Sequence, residues 1–330
     1  MKKICVITGG RAEYGILYPL IKLIHSSKKT KLFLIATGMH NSKTFGETYK
    51  EIQKDKFPIF SKIEMLIDND TPQSICKSMG LGTILLSDQL VRANPDLVVL
   101  LGDRYETFVA ASVSMVLRIP IVHIQGGEVT KGAIDDQFRH AITKLSNIHF
   151  VFTENYKKRV IQLGENPSNV FNYGALNVDS LKKIKTISKN NLEKLINFEL
   201  SGDIALVTYH SVTLDQNSSK SNFLQILKAL ESFKNLKIIF TKTNSDTDGR
   251  IINSLIDKFV KKNKDRCVSY VSLGQLKYIN LLKHVSLMIG NSSSGIIETP
   301  YFKLPVINIG DRQEGRIFAK NIISTIPNYL

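Results

Sequence analysis

The chain has 330 residues, of which 43% are hydrophobic and 22% charged, a composition typical of a globular protein with roughly two domains. No apolar run approaches the roughly 18 residues of a membrane span, the N-terminal segment lacks a signal-peptide pattern, and three scattered cysteines form neither a disulfide framework nor a zinc pattern. We therefore expect a reduced, cytoplasmic protein. The formal net charge of +15 comes mostly from dispersed lysines, which argues against a nucleic-acid interface and is compatible with an anionic small substrate without selecting one.

In the first half of the chain, short apolar runs alternate with helical patterns. The runs at 97–101 and 119–124 are continuously apolar, as in strands that are covered on both faces. This alternation predicts a parallel, right-handed, doubly wound sheet. Strands are predicted at residues 4–8, 32–36, 63–66, 97–101, 119–124 and 149–152, and helices at 14–25, 45–53, 71–92, 105–117, 135–145 and 154–163.

A second series of the same kind follows a polar segment at 182–194. Its strands are predicted at 204–209, 237–241, 268–271, 287–289 and 306–309, with helical or turn segments at 223–233, 250–262, 276–282 and 295–300. The sequence thus predicts two α/β domains, residues 1–172 and 173–330, joined between 164 and 181. Two such domains face each other across a cleft, and ligands of open α/β sheets bind beyond the carboxyl ends of the strands.

Charged side chains follow several strands of the predicted first domain. Gly9-Gly10-Arg11 opens the first helix, where it is either an anion site or a plain tight turn. Asp103 and Arg104 follow the strand at 97–101 as an acid/base or binding pair, unless Asp103 only caps a helix.

The loop after the strand at 119–124 adds further carboxylates. Glu128 and the pair Asp135-Asp136 would converge with the acid of the preceding loop on one site, and converging carboxylates separate each other's pKa values into an acid and a base. The alternative for the aspartate pair is helix capping alone. We interpret His123, inside the apolar run, as a hydrogen-bonded core residue rather than a site residue.

The second domain carries polar groups at the ends of its predicted strands. A histidine, small hydroxyls at a helix start, and arginines are groups that hold phosphates, and a glutamate one turn into that helix could accept from ribose hydroxyls. We find no dinucleotide fingerprint, Walker A motif, nucleophile elbow or metal-ligand spacing. The candidate binding residues here are His210, Lys242, Asn244, Ser292, Ser293, Glu298 and Arg312.

Taken in order, these motifs resemble the hydrolysing UDP-N-acetylglucosamine 2-epimerases of sialic-acid and legionaminic-acid biosynthesis. The similarity spans essentially the whole chain, and the segments NSDTDGRIIN (244–253) and SLGQ (272–275) are most similar to the legionaminic branch, which acts on a 2,4-diacetamido-trideoxy sugar nucleotide. The matching blocks are TGGRAEYG (8–15), ATGMH (36–40), GDRYE (102–106), 126–128 with 134–136, RHAITK (139–144), KRVIQLGE (158–165), 210–213, GNSSSGIIE (290–298) and NIGDRQEGR (308–316).

The resemblance implies a GT-B fold, in which two Rossmann-like domains face a central cleft, and it implies a reaction. UDP is eliminated across C1–C2 to leave a glycal, and water adds to give UDP and the free C2 epimer. No metal or redox cofactor is needed, and the partner is a UDP-linked N-acetylhexosamine; we also expect a homo-oligomer, a dimer or a tetramer. The implied catalytic residues are Asp103, Glu128 and Asp135, and the implied UDP-binding residues include Arg11 and Arg104 besides those of the second domain.

Two departures from the family pattern leave alternatives open. Gln125 stands where some relatives carry a glutamate, and an amide cannot act as a base, so Glu128 takes over or Gln125 only orients the substrate. The chain also ends at Leu330, before the helices with which we expect relatives to continue. The alternatives are a GT-B glycosyltransferase and a non-catalytic UDP-sugar-binding paralogue.

Overall fold

The computed structural model describes residues 1–212, 218–244 and 248–328. It divides into two compact units: unit 1 consists of Met1–Glu128 with Ile134–Ser180, and unit 2 of Val129–Ala133 with Leu181–Leu330. Thr213 and residues 245–247, which belong to the sequence motifs, lie outside the described residues. No helix in the described ranges is long and apolar enough to cross a membrane.

Unit 1 is a parallel sheet with helices on both faces. In the described part of the unit, seven strands pair in the order β3-β2-β1-β4-β5-β6-β7, every pair parallel. The strands are β1 (Lys2–Thr8), β2 (Thr30–Thr37), β3 (Ile59–Ile63), β4 (Leu97–Leu101), β5 (Ile121–Ile124), β6 (Ile148–Val151) and β7 (Val170–Asn172). The helices are α1 (Arg11–Ser26), α2 (Tyr49–Lys54), α3 (Pro72–Ala93), α4 (Tyr105–Val116), α5 (Asp135–Leu145), α6 (Glu154–Gln162) and α7 (Leu176–Lys183), which ends in unit 2.

The apolar run of β4 is explained by the two faces of this sheet. Val98 and Leu100 enter the core formed with α3, α4 and α5, whereas Val99 and Leu101 enter the core formed with α1 and α2. Because successive side chains of a strand point to opposite faces, a strand covered on both faces needs apolar residues at every position. Each fully buried side chain of this size contributes about 1.5–3 kcal/mol.

Unit 2 repeats the same architecture. Its described strands pair in parallel in the order β10-β9-β8-β11-β12-β13. They are β8 (Ile204–Thr208), β9 (Lys237–Thr241), β10 (Cys267–Tyr270), β11 (Leu287–Gly290), β12 (Val306–Ile309) and β13 (Ile322–Thr325). The helices are α8 (Lys189–Ile196), α9 (Ser218–Ser232), α10 (Gly249–Lys262), α11 (Gly274–Leu281), α12 (Ser294–Ile297) and α13 (Thr299–Phe302).

Each sheet reverses its strand order once. In unit 1 the chain passes from β1 outward to β3 and returns to β4 on the other side of β1. In unit 2 the same reversal lies between β8 and β11. Ligands of doubly wound sheets bind outside the carboxyl ends of the strands at such a reversal, so the loops after β1, β4, β8 and β11 are the places to look for a site.

The predicted alternation of strands and helices is confirmed, but several boundaries are wrong. The third strand is Ile59–Ile63 rather than 63–66, and the segment at 182–194, predicted only as polar, includes most of α8 (Lys189–Ile196). The short edge strands β7 and β13 are not predicted, because three or four residues at a sheet edge carry too little apolar pattern.

The joining segment predicted at 164–181 also contains structure. It holds β7 and the start of α7, and Leu176 packs against the core that α1 forms with the sheet. The division into units therefore falls at 180/181, inside α7, and differs from the division predicted at 172 in residues 173–180 and in Val129–Ala133.

Candidate active site

Arg139 of α5 lies at the centre of an ionic cluster formed with the loops after β4 and β5 of unit 1. Its side chain is fully buried, and its guanidinium donates to the Asp103 carboxylate, to Asp136 Oδ1 at 3.1 Å and to the Glu128 carbonyl oxygen at 3.1 Å. Burial opposes the positive charge of Arg139, but the attraction of Asp103 and Glu128 outweighs it and raises the pKa of Arg139 above its usual value. Loops after β4 and β5 are thereby fixed to the first turns of α5.

The loop that carries Glu128 depends on a left-handed glycine. Gly127 has φ +79°, and a Cβ atom there would lie 2.5 Å from the Tyr156 carbonyl oxygen, so only glycine fits without a shift. Arg159 donates to the Gly127 carbonyl, and the Glu128 side chain that follows is 2% exposed. Gln125, also at positive φ (+75°), places non-glycine backbone in a sparsely populated region beside this loop.

Arg104 lies in a second ionic cluster, with two glutamates. Its Nε is 3.2 Å from Glu106 Oε2 and 3.8 Å from Glu13 Oε1, and Glu106 is 1% exposed. The other Glu13 oxygen accepts the Gly9 amide at 2.7 Å, which ties the turn after β1 to the start of α1. Burial raises the pKa of Glu13 to about 7; the Glu106 carboxylate adds to this rise and Arg104 opposes it.

His123 is a hydrogen-bonded core residue, as predicted. Its Nε2 lies 2.8 Å from the Gly102 carbonyl oxygen and its Nδ1 3.1 Å from Thr143 Oγ1. Because a carbonyl only accepts, Nε2 carries the proton. Burial lowers the pKa of His123 to about 4, so the ring is neutral and supports the Gly102 turn that precedes Asp103.

In unit 2, Asn291 joins the two loops at the strand reversal. Its Oδ1 accepts the His210 amide at 2.7 Å, and its Nδ2 donates to the His210 carbonyl at 2.8 Å. Its own carbonyl accepts from Arg312 Nη1 at 3.2 Å and from Gln313 Nε2 at 2.7 Å. The fully buried Asn291 therefore fixes the loop after β8 and the loop after β12 relative to its own.

Gly290 explains how these loops approach so closely. Its φ is +138°, and a Cβ atom there would lie 1.9 Å from the Thr208 carbonyl oxygen of β8. Any larger residue would separate β8 from β11, so the glycine that precedes the serine-rich loop is a structural requirement of the reversal.

The expected phosphate cradle differs from the sequence prediction in one respect. The helix predicted at 295–300 consists of two four-residue turns, α12 and α13, and so short a segment has little helix dipole. Ser292 Oγ accepts the Ser294 amide at 3.3 Å, and Ser293 is the residue before α12. Anion binding at this loop would therefore depend on local amides and hydroxyls.

Glu298 and Lys242, both predicted to bind the nucleotide, already have partners. Glu298 accepts a hydrogen bond from Ser294. Lys242 pairs with Asp257 of α10 at 2.7 Å, and would have to exchange that partner to reach a phosphate. Asn244 follows β9, and its carbonyl lies 3.4 Å from Thr243 Oγ1.

Within unit 1, Arg139 binds the carboxylate of Asp103 and the backbone carbonyl of Glu128. The charges of Glu128 and of Asp135, at the start of α5, also act on Arg139. Arg11 is the first residue of α1, after β1. Sequence reasoning placed Asp136 beside Asp135 among the converging carboxylates, but it gave no role to Arg139, Glu13, Glu106 or Asn291, although each lies in a quoted motif. Among the described residues, no group of three or more His, Cys, Asp or Glu side chains could hold a metal ion.

Comparison with known proteins agrees with the sequence motifs. The family described as UDP-N-acetylglucosamine 2-epimerase matches residues 22–329. The hydrolysing GDP/UDP-N,N'-diacetylbacillosamine 2-epimerase of Campylobacter jejuni is 46% identical over 100% of this chain and 85% of its own. The polysialic acid biosynthesis protein P7 of Escherichia coli is 38% identical over 98% of this chain and 82% of its own.

A solved structure supports the fold. The UDP-GlcNAc 2-epimerase of Methanocaldococcus jannaschii, crystallised with UDP-GlcNAc and UDP, superposes with a TM-score of 0.83 at 21% identity, over 99% of this chain and 89% of that one. The Rossmann-like architecture of two parallel α/β units predicted from the sequence is confirmed. From the family match and the two relatives, the chain belongs to the UDP-N-acetylglucosamine 2-epimerase family, as its motifs predict.

Proposed function

We propose that this enzyme hydrolyses a UDP-linked 2-acetamido sugar with inversion at C2, releasing UDP and the free 2-epimer. The observation that carries the proposal is the Arg139 cluster, which holds two carboxylates and the Glu128 loop together at the strand reversal of unit 1. Membership of the epimerase family and the hydrolysing activity in the name of the Campylobacter relative support it.

The reaction needs one group that takes the C2 proton and another that gives a proton from solvent to the opposite face of C2. In the first step the C2–H bond and the C1–O bond to the diphosphate break, which leaves a glycal and UDP. In the second step water supplies a hydroxyl to C1 while a proton adds to C2 from the opposite face. Atoms balance with one water consumed, and no carbon changes its net oxidation, so neither step needs a redox partner.

We assign the proton acceptor to Asp103, because its ion pair with the buried Arg139 favours the ionised form, which accepts. Glu128 and Asp135 then serve the delivery of a new proton to C2 and the addition of water. General acid–base groups of this kind contribute about 10²–10⁴-fold to the rate. Gln125, as an amide, has no part in proton transfer and orients the substrate.

Unit 2 holds the nucleotide in this proposal. The hydrogen bonds of Asn291 hold the backbone of His210 and the side chain of Arg312. These two residues, with Ser292 and Ser293, would stabilise the negative charge of the departing diphosphate. The other residues assigned to the nucleotide are Lys242, Asn244 and Glu298 in unit 2 and Arg11 and Arg104 in unit 1.

The preferred sugar in this proposal is 2,4-diacetamido-2,4,6-trideoxyglucose, which is the N,N'-diacetylbacillosamine in the name of the Campylobacter relative. UDP-GlcNAc is the second choice. The product would then serve the synthesis of legionaminic or sialic acids; the name of the Escherichia coli relative, a polysialic acid biosynthesis protein, supports the sialic-acid alternative. We also propose that the active form is a homo-oligomer.

Incubation of the full chain with each nucleotide sugar, without any acceptor, tests the proposal. We expect ³¹P NMR to show free UDP and ¹H NMR to show the C2-inverted free sugar, with kcat/KM at least about tenfold higher for the diacetamido substrate. UDP release that requires an acceptor, or a released sugar of unchanged configuration, would refute the reaction. Preference for UDP-GlcNAc would refute only the choice of sugar.

A further inference from the structure

A chain of hydroxyl groups leads to the Glu298 carboxylate. Tyr278 Oη of α11 lies 2.6 Å from Ser294 Oγ, the first residue of α12, and Ser294 Oγ donates to Glu298 Oε2. These three side chains belong to unit 2 and are half-buried. Neither Tyr278 nor Ser294 has a role in the site described so far.

The direction of these hydrogen bonds follows from the number of protons. An ionised carboxylate only accepts, so the single hydroxyl proton of Ser294 is directed to Glu298. The Ser294 oxygen is then the acceptor and Tyr278 the donor. The chain runs Tyr278 to Ser294 to Glu298, and each donor is polarised by the charge at its end.

The positions of the three residues make this chain a brace between two helices. Ser294 and Glu298 are four residues apart and so lie on one face of the α12 turn. Tyr278 comes from α11, which lies in the crossover from β10 back to β11. The brace therefore ties Glu298, in the segment that follows β11, to α11.

We propose that Tyr278 and Ser294 are positioning residues that set the selectivity of the nucleotide site for ribose over deoxyribose by holding Glu298 as a fixed acceptor. The inference rests on the proposed binding of UDP by unit 2. A carboxylate has about four lone-pair positions, so Glu298 can accept from Ser294 and still accept from the two ribose hydroxyls.

Fixing the carboxylate in advance is what gives the selectivity. A glutamate side chain that is ordered only on binding loses rotamer freedom at that moment, and this loss weakens binding. A ligand without the 2'-hydroxyl gains less from a preordered acceptor, because one acceptor position then stays unpaired in a partly dry site. Losing the brace should thus weaken ribonucleotide binding more than deoxyribonucleotide binding, because the deoxyribonucleotide has only its 3'-hydroxyl to donate to Glu298.

Calorimetric titration of the full chain with UDP and with 2'-deoxy-UDP tests this. We expect the parent to bind UDP at least about tenfold more tightly than 2'-deoxy-UDP. Ser294→Ala and Tyr278→Phe should weaken UDP binding, by about tenfold and about threefold respectively, and leave 2'-deoxy-UDP binding within about twofold. Ser294→Thr, which keeps the hydroxyl, should restore most of the UDP affinity.

Two control variants in the same unit remove the same atoms elsewhere. Tyr301→Phe changes a tyrosine that is 46% exposed on α13, and Ser221→Ala changes an exposed serine of α9. Both should bind the two ligands as the parent does.

The outcomes separate the inference from the proposed function. No UDP binding by the parent would refute the nucleotide site of unit 2 itself. Parent binding with the expected ribose preference, combined with equal losses for both ligands in Ser294→Ala and Tyr278→Phe, would overturn the inference and leave the site standing. Unchanged UDP affinity in both variants would overturn it as well.

Discussion

Replacing Arg139 by methionine tests the ionic cluster of unit 1 most severely. Methionine keeps much of the side-chain volume but removes the buried guanidinium from Asp103 and Asp136. His140, 3.5 Å from Asp136, replaces it poorly, because burial lowers the pKa of its ring. Breaking a buried ion pair by removing one partner costs about 3–5 kcal/mol. Because these carboxylates are 21% and 20% exposed, they regain part of their hydration, and we expect the lower end, about 3 kcal/mol.

The assay has to report on unit 1 alone. The chain contains no tryptophan, so hydrogen exchange measured by mass spectrometry is more informative than fluorescence. A loss of about 3 kcal/mol should raise exchange from the most protected amides of β4 and β5 by about 10²-fold, with β8 and β11 unchanged. Arg139→Lys keeps the charge but not the planar fork, and should fall between parent and Arg139→Met.

A second substitution identifies the cause. Adding Asp103→Asn to Arg139→Met removes one of the two carboxylate charges that Arg139 neutralises in the parent. This should recover about 1–2 kcal/mol of the lost free energy of unfolding. If the β4 and β5 amides of Arg139→Met exchange at the parent's rate, or if the double variant is no better protected than Arg139→Met, the cluster does not stabilise the loops as described.

Three further predictions concern the site. Asp103→Asn and Glu128→Gln should each lower turnover by at least about 10²-fold while the UDP dissociation constant stays within about twofold; equal losses in both would remove them from the chemistry. Asn291→Asp keeps the acceptor for the His210 amide but loses the donor to the His210 carbonyl. We therefore expect about tenfold weaker UDP binding by calorimetry, and an unchanged UDP dissociation constant would show that these hydrogen bonds do not hold the His210 loop for binding. Burial raises the pKa of Glu13 from 4.5 to about 7, so ionising this carboxyl opposes folding. Relative to the parent, Glu13→Gln should therefore gain up to about 3 kcal/mol in free energy of unfolding, measured in urea, as the pH rises from about 4.5 to 7, and no more above that. A pH-independent difference would refute the shift.

Much of the fold follows from local pattern. Buried parallel strands such as β4 are continuously apolar because both faces are covered, and this pattern is visible in the sequence. Polar residues directly after such strands point to the strand reversals, where Asp103 and His210 are found. The short edge strands β7 and β13 depend on pairing with a neighbour that their own residues do not specify.

The partners within the site are less predictable than its location. Which of two adjacent aspartates meets Arg139 depends on the rotation of α5 about its axis, and one residue changes that by about 100°. The structure pairs Asp136 with Arg139, whereas the resemblance assigned the catalytic role to Asp135. Likewise, Lys242 meets Asp257 only because α10 packs beside β9 and β10, a contact set by tertiary packing.

The central claim is that the C2 proton leaves the sugar and is replaced by one from solvent. Turnover of the UDP-linked 2-acetamido sugar by the full chain in D₂O, followed by ¹H NMR and mass spectrometry, measures this directly. We predict one deuterium at C2 of every released sugar molecule, with the inverted configuration. A released sugar that keeps its original C2 hydrogen would contradict elimination through a glycal.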